Sequence, residues 1–234
     1  MKQAPTSPLR GDVRALRQEI VDACLRMCRL GYFIGTWGNI SVRVRQGMLI
    51  TPTRVDYEAM RPEDIVLMSW EGSRLKGERL PSSEMHLHRL MLLARPDLGT
   101  LIHSHQPWCS SLACRHRSLP VIADDMAQII GGKVSCSCYV PGGRHMELAA
   151  EACRAMGKES AAVLLANHGV VVGGRDLKEA AVAAEVLEKA AMMLTVAGPT
   201  AAVKRIPPAR VREERHRYLF KYGTSADAET EGNA

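Results

Sequence analysis

The chain is poor in aromatic residues, with two Phe, three Trp and five Tyr among 234 residues. That scarcity removes the interleaved ring platforms on which single-stranded nucleic acids stack. A long uncharged apolar run is also missing. The stretch MKQAPTSPLRGD carries no apolar core of a signal peptide, and AAVAAEVLEKAAMMLTVAG is interrupted by Glu185, Glu188 and Lys189. Neither export nor a membrane span is therefore expected. There is no CxxC pair: Cys24, Cys28, Cys109, Cys114, Cys136, Cys138 and Cys153 form an odd set without a zinc knuckle or redox motif. Reduced thiols in a cytoplasmic protein are the expectation. The glycine pairs Gly131-Gly132, Gly142-Gly143 and Gly173-Gly174 read as turns, and none belongs to a GxGxxG or GxxxxGK[ST] frame, which argues against a nucleotide cradle.

Hydrophobic residues make up 46% and charged residues 24%, the balance of a folded globular chain. The formal net charge of +6 is densest in VKRIPPARVREERHRYLFKYG, where Glu213 and Glu214 interleave with the cations. That pattern predicts a solvated helix after a Pro-Pro stop rather than a nucleic-acid surface.

Helical spacing of Leu16, Ile20, Ala23, Cys24, Met27 and Cys28 predicts a first helix from Asp12, as N-cap, to about Leu30, stopped by Gly31. NISVRVRQGMLITPT alternates across Gln46-Gly47 as a hairpin. Ser82 and Ser83 sit at or near the N-cap of a helix closed by Pro96. Strand GTLIHSH, short helix PWCSSLACRH, strand VSCSCYV, a helix from Met146 to about Met156, strands AAVLLAN and VVVGG, and a helix from Leu177 to about Val196 follow. Short turns between several strands favour a mostly antiparallel sheet covered by helices over a doubly wound parallel sheet.

In LIHSHQPW, His103 and His105 fall two apart on a strand and share a face, so they could grip one metal ion. On that spacing alone, half-buried hydrogen-bonded histidines at a strand end read equally well. His168, after the apolar run Val163 to Ala166 and before Gly169, ends a second buried strand and supplies a candidate third ligand. His86, His88, His116, His145 and His216 read as packing or surface residues, with His88 one helical turn after Glu84 and so able to support it. GTWGNIS holds Thr36 and Asn39 between glycines, ITPT ends a strand in hydroxyls, and PSSE sets Ser82 and Ser83 at a helix start before Glu84. Together these suit an anionic phosphate, with a carboxylate base beside a Lewis acid.

GTWGNISVR, ITPT, PSSE, HSH and ANHG, in this order, resemble the class II aldolase/adducin family from about Asp12 to Gly223, and most closely its aldolase branch. The resemblance implies one α/β/α sandwich domain around a mostly antiparallel sheet, spanning residues 1–234 with its core at about 12–223 and a flexible tail at 224–234. It also implies a homotetramer with active sites between subunits. His103, His105 and His168 would hold Zn²⁺ or another divalent ion such as Mn²⁺ or Co²⁺. Gly38, Asn39, Thr53, Ser82 and Ser83 would hold the phosphate of a small sugar phosphate, Thr36 would contact substrate, and Glu84 would move the proton. Tyr222 in FKYGTS resembles the aldolases' C-terminal Tyr, which reaches into a neighbouring subunit's site. The implied reaction cleaves a ketose 1-phosphate, of the fuculose, rhamnulose or deoxyribulose phosphate type, to dihydroxyacetone phosphate and an aldehyde through an enediolate.

Two departures mark this chain. Arg54 stands where the fuculose-phosphate enzymes have glycine, and would contact the phosphate or turn to solvent. Asp125 stands where they have Tyr, and Asp124 resembles an acid/base residue of the epimerase branch, although the pair reads equally as a cap for the helix MAQII. A ribulose-phosphate 4-epimerase, a sugar-phosphate dehydratase and a decarboxylase of the same family are the alternatives, with a non-catalytic adducin-like module behind them.

Overall fold

The computed structural model describes residues 13–198 and 203–222. The N-cap expected at Asp12, the core's end at Gly223 and the tail at 224–234 lie outside these residues.

The helical spacing of the first segment forms α1 (Val13–Arg29), followed by the hairpin β1 (Asn39–Val44) and β2 (Gly47–Ile50). Two short strands come next, β3 (Val66–Ser69) and β4 (Arg74–Lys76), then α2 (Met85–Ala94) and β5 (Thr100–Ser104). After them run α3 (Pro107–Cys114), α4 (Asp124–Ile129), α5 (His145–Met156), β6 (Ala162–Leu165), β7 (Gly169–Gly174), α6 (Leu177–Val196) and α7 (Pro208–Phe220). The strands form one sheet in the order β4-β3-β2-β1-β5-β7-β6, and its strand pairs are antiparallel.

Period-two alternation divides the sheet's side chains between two cores. Met48, Ile50, Leu101, Val163, Leu165 and Val171 pack under α2 and α5. Ile40, Val42, Ile102, Leu164, Val170 and Val172 face α1, α3, α4 and α6. The α/β/α sandwich with a largely antiparallel sheet is therefore as expected. Among the described residues no helix is long and apolar enough to cross a membrane, and the seven cysteines are free thiols.

Three details differ from the sequence reading. Residues 134–140 do not form a strand. They meet the sheet through one isolated parallel bridge, Cys136↔Leu164, while a second, Leu119↔Val134, lies off it. Ser137 Oγ donates to the neighbouring Cys138 carbonyl at 2.9 Å, a local bond that competes with sheet pairing, and Pro141 brings no N–H to extend it. The pair β3–β4 was not foreseen, because VLMS is uniformly buried and RLK uniformly exposed, so neither alternates. Asp124 and Asp125 are not caps. Ala123 occupies the N-cap of α4 without a side-chain bond, and the two carboxylates lie in the first turn, where the helix dipole favours them.

Buried Arg95 ties the α2–α5 layer to the sheet. Its guanidinium donates to the carbonyls of Gly157 (3.1 Å) and Ser160 (2.6 Å), and pairs with Asp97 through Nε (2.8 Å) and Nη2 (2.7 Å). Replacing it takes donors from the buried Ser160 carbonyl and the more exposed Gly157 carbonyl. Arg95→Met is expected to lower unfolding stability by about 3 kcal/mol, read from the denaturation midpoint at constant m-value. A loss below about 1 kcal/mol would show that the staple is dispensable.

Candidate active site

The site lies at the end of β5 on the α2–α5 face of the sheet. Antiparallel pairing sets Asn39 of β1 opposite His103 and Val171 of β7 on its other side. His103 is fully buried, and its Nδ1 donates to the Val170 carbonyl at 2.9 Å. That bond fixes the tautomer and leaves the Nε2 lone pair pointing into the site. His105, two residues on, projects the same way, with its Nε2 3.2 Å from that of His103. His168 comes from the turn between β6 and β7, where its N–H bonds Leu165 O at 3.0 Å. A Cβ on Gly169 would stand 2.5 Å from Ser104 O and 2.8 Å from the His105 ring. Only glycine lets that turn close against the histidine pair.

The ligand nitrogens of His103, His105 and His168 all lie within 4.8 Å of one another. Burial, with His103 nearby, holds the pKa values of His105 and His168 at about 4, Glu84 opposing only partly. Both are neutral imidazoles at physiological pH, the form that binds metal. Three converging imidazole nitrogens fit a divalent ion of the zinc class and leave room for substrate.

Glu84, at the N-cap of α2, faces this cluster. Its carboxylate oxygens are 3.3 Å from His103 Nε2 and 3.3 Å from His168 Nε2. Burial alone would raise its pKa, but His103, His168, the Asn39 amide and His88 outweigh that and bring it to about 2. Behind it a polar chain is completely matched. Asn39 Nδ2 donates to Glu84 Oε2 (2.8 Å), so Asn39 Oδ1 accepts from His88 Nε2 (2.5 Å), and His88 Nδ1 accepts from Ser41 Oγ (2.7 Å). His88 is fully buried, and desolvation, with His103 adding to it, depresses its pKa to about 3, which agrees with a neutral ring.

These groups open onto a cleft of about 480 Å³ lined by Thr36, Gly38, Asn39, Thr53, Arg54, Ser82, Ser83, Glu84, His105 and His168. The GTWGN turn forms its edge. Gly38 sits at φ 113°, and a Cβ there would lie 2.3 Å from the Phe33 ring. Ser82 N–H bonds Thr51 O (3.0 Å) and Thr53 N–H bonds Leu80 O (3.1 Å), so the ITPT and PSSE segments are tied side by side at the start of α2. Arg54 lies in the left-handed region at φ 57°, a strained backbone for a long side chain.

The fold and site have counterparts among known proteins. Residues 18–195 match the family model described as "Class II Aldolase and Adducin N-terminal domain". The chain belongs to the class II aldolase and adducin family. It is 38% identical over 217 residues to the 5-methylthioribulose-1-phosphate/5-deoxyribulose-1-phosphate aldolase of Rhodospirillum rubrum, covering 91% of this chain and 93% of that protein. It is 38% identical over 165 residues to the L-fuculose phosphate aldolase of Haemophilus influenzae, covering 70% and 75%. A solved L-fuculose 1-phosphate aldolase superposes with a TM-score of 0.83 at 32% identity, over 92% of this chain and 100% of its own.

Three residues singled out in the sequence do not line this class II aldolase cleft. Tyr222 is 58% exposed beyond α7, Asp124 is exposed, and Asp125 pairs with Lys189 of α6. Others went unforeseen. Trp37, Tyr139, Arg144, His145 and Asn167 also line the cleft, although Gly142-Gly143 had marked the loop that carries three of them only as a turn. His103→Ala is expected to abolish stoichiometric divalent-metal uptake by metal-free protein, measured by mass spectrometry of metal after gel filtration. Retention of one ion per chain would overturn the assignment.

Proposed function

We propose that this class II aldolase cleaves a ketose 1-phosphate, of the fuculose, rhamnulose or 5-deoxyribulose phosphate type, to dihydroxyacetone phosphate and an aldehyde. One observation carries the reading: a single cleft joins three converging imidazoles, an ionised carboxylate and an end rich in hydroxyls, an amide and a cation. The names of its relatives, aldolases of fuculose phosphate and of 5-deoxyribulose and 5-methylthioribulose 1-phosphate, support it.

His103, His105 and His168 would hold the divalent ion, Zn²⁺ or else Mn²⁺ or Co²⁺. When bound, the ion supplies Lewis acidity to the ketose oxygens as the carbon–carbon bond breaks. The chain's own groups do the rest. Gly38, Asn39, Thr53, Ser82 and Ser83 seat the phosphate at the N-terminal end of α2, where helix dipole and amide donors favour an anion. Arg54 adds a charge-assisted contact at the same end, and Thr36 borders the substrate on the turn side.

Glu84 is the proton-transfer group. Ionised, it takes the hydroxymethylene proton of dihydroxyacetone phosphate in the condensation direction; protonated, it returns that proton after cleavage. Its amide partner Asn39, fixed by His88 and Ser41, holds the carboxylate in position. On the aldehyde side, the same reading assigns proton handling to Tyr222, reaching into a neighbouring subunit's site, and to Asp124, and substrate contact to Asp125. It also takes residues 1–234 as one domain in a cytoplasmic homotetramer.

A panel of ketose 1-phosphates and 5-phosphates with Zn²⁺, Mn²⁺ or Co²⁺ separates the reactions. Release of dihydroxyacetone phosphate from a 1-phosphate is expected; epimer formation from a 5-phosphate without it would replace the aldolase by the epimerase reading. Glu84→Gln should lower kcat by roughly 10²- to 10⁴-fold while metal content is kept, and unchanged turnover would remove it from proton transfer. Arg54→Gly should release backbone strain, adding about 1 kcal/mol of stability, yet raise KM for the phosphorylated ketose roughly tenfold through loss of a charged hydrogen bond. An unchanged KM would place Arg54 outside phosphate recognition.

A further inference from the structure

Of the three non-glycine residues with positive φ among the described residues, two, His116 (50°) and Asn167 (54°), are bonded to each other through His116 Nε2 and Asn167 Oδ1 at 2.6 Å. Asn167 immediately precedes His168. His116 lies just past α3, a helix that begins two residues after His105. The Ala113 carbonyl near that helix's end accepts from both His116 N–H (3.1 Å) and Asn167 N–H (3.3 Å). At the other end of α3, the buried Glu188 carboxylate accepts from the N–H groups of Trp108 (2.8 Å) and Cys109 (2.9 Å).

We propose that α3 is a spacer between the histidine pair and His168, and that His116 is the positioning residue that locks its far end. The helix leaves the strand carrying His103 and His105, is held at its start by Glu188, and ends against the turn that presents His168. Between Leu165 and Gly169, which pair across β6 and β7, only Ala166, Asn167 and His168 make that turn. A left-handed residue in so short a loop sets the direction of the next side chain. Asn is among the few side chains that tolerate this region, and its Oδ1 is an acceptor only, so the His116 ring must donate from Nε2. The imidazole thereby ties the orientation of the turn to the helix. Neither His116 nor Asn167 reaches the converging nitrogens itself; both act through the placement of His168.

This inference rests on the metal-site reading of His103, His105 and His168, and Co²⁺ titration of the metal-free full chain tests the two separately. His116→Gly keeps a backbone suited to φ 50° and removes only the ring, so thermal unfolding should occur at or above the parent temperature. Co²⁺ affinity should fall about tenfold, the scale of losing a partner that orients a metal ligand, with a changed visible ligand-field spectrum. Asn167→Gly should do the same, and the double variant should bind within about twofold of either single one because both remove one contact. His116→Gly with parental affinity and spectrum would overturn the proposal, as would losses in the two single variants that add in the double. A parent chain that takes up no Co²⁺ would remove the metal-site reading and this inference with it.

Discussion

The organising constraint is the burial of imidazoles beside an ionised carboxylate at one end of the sheet. Charged or unmatched polar groups are costly away from water, so each member of the cluster needs a fixed partner on the side facing away from the cleft. His103 has the Val170 carbonyl, Glu84 has the Asn39 amide, and Asn39 has His88, which has Ser41. The directed groups then face one another across the site. Those partners come from β1, β7 and α2, so the antiparallel register is what assembles them: a one-residue slip of β1 against β5 would send Asn39 to the opposite face.

The same arrangement explains the division of the cleft. The end proposed to seat the phosphate lies where the turn before α2 is tied to the end of β2 by Thr51, Thr53, Leu80 and Ser82. Its far wall runs from Tyr139 and Val140 at the end of the irregular segment, through Pro141, Gly142, Gly143 and Arg144, to His145 at the start of α5. Under that proposal the phosphate meets segments tied to the sheet, and the rest of the substrate meets a loop that can change without disturbing it.

Much of the architecture could be read from residue patterns. The hairpin at Gly47, the strands that lead into His105 and His168, and the long helices announce themselves because period-two and 3.6-residue spacings are strong wherever one face is buried. The approach of His168 to His103 and His105 was legible as two similar strand ends, each closing an apolar run. Other features depend on contacts that local pattern does not encode. Residues 134–140 look like a strand, but Ser137 bonds its own chain and Pro141 follows. His116 is exposed, as expected, but its bond to Asn167 spans 51 residues and no local pattern encodes it. Arg54 sits in a left-handed conformation that its side chain does not advertise.

The central claim is that His103, His105 and His168 hold a divalent ion in the cleft where Glu84 acts. X-ray absorption at the metal edge of the purified, metal-loaded protein tests it most directly. The account predicts three imidazole nitrogens at about 2.0–2.1 Å for zinc, with outer-shell scattering from the rings. A metal with sulfur or oxygen ligands alone, or no imidazole scattering, would contradict it.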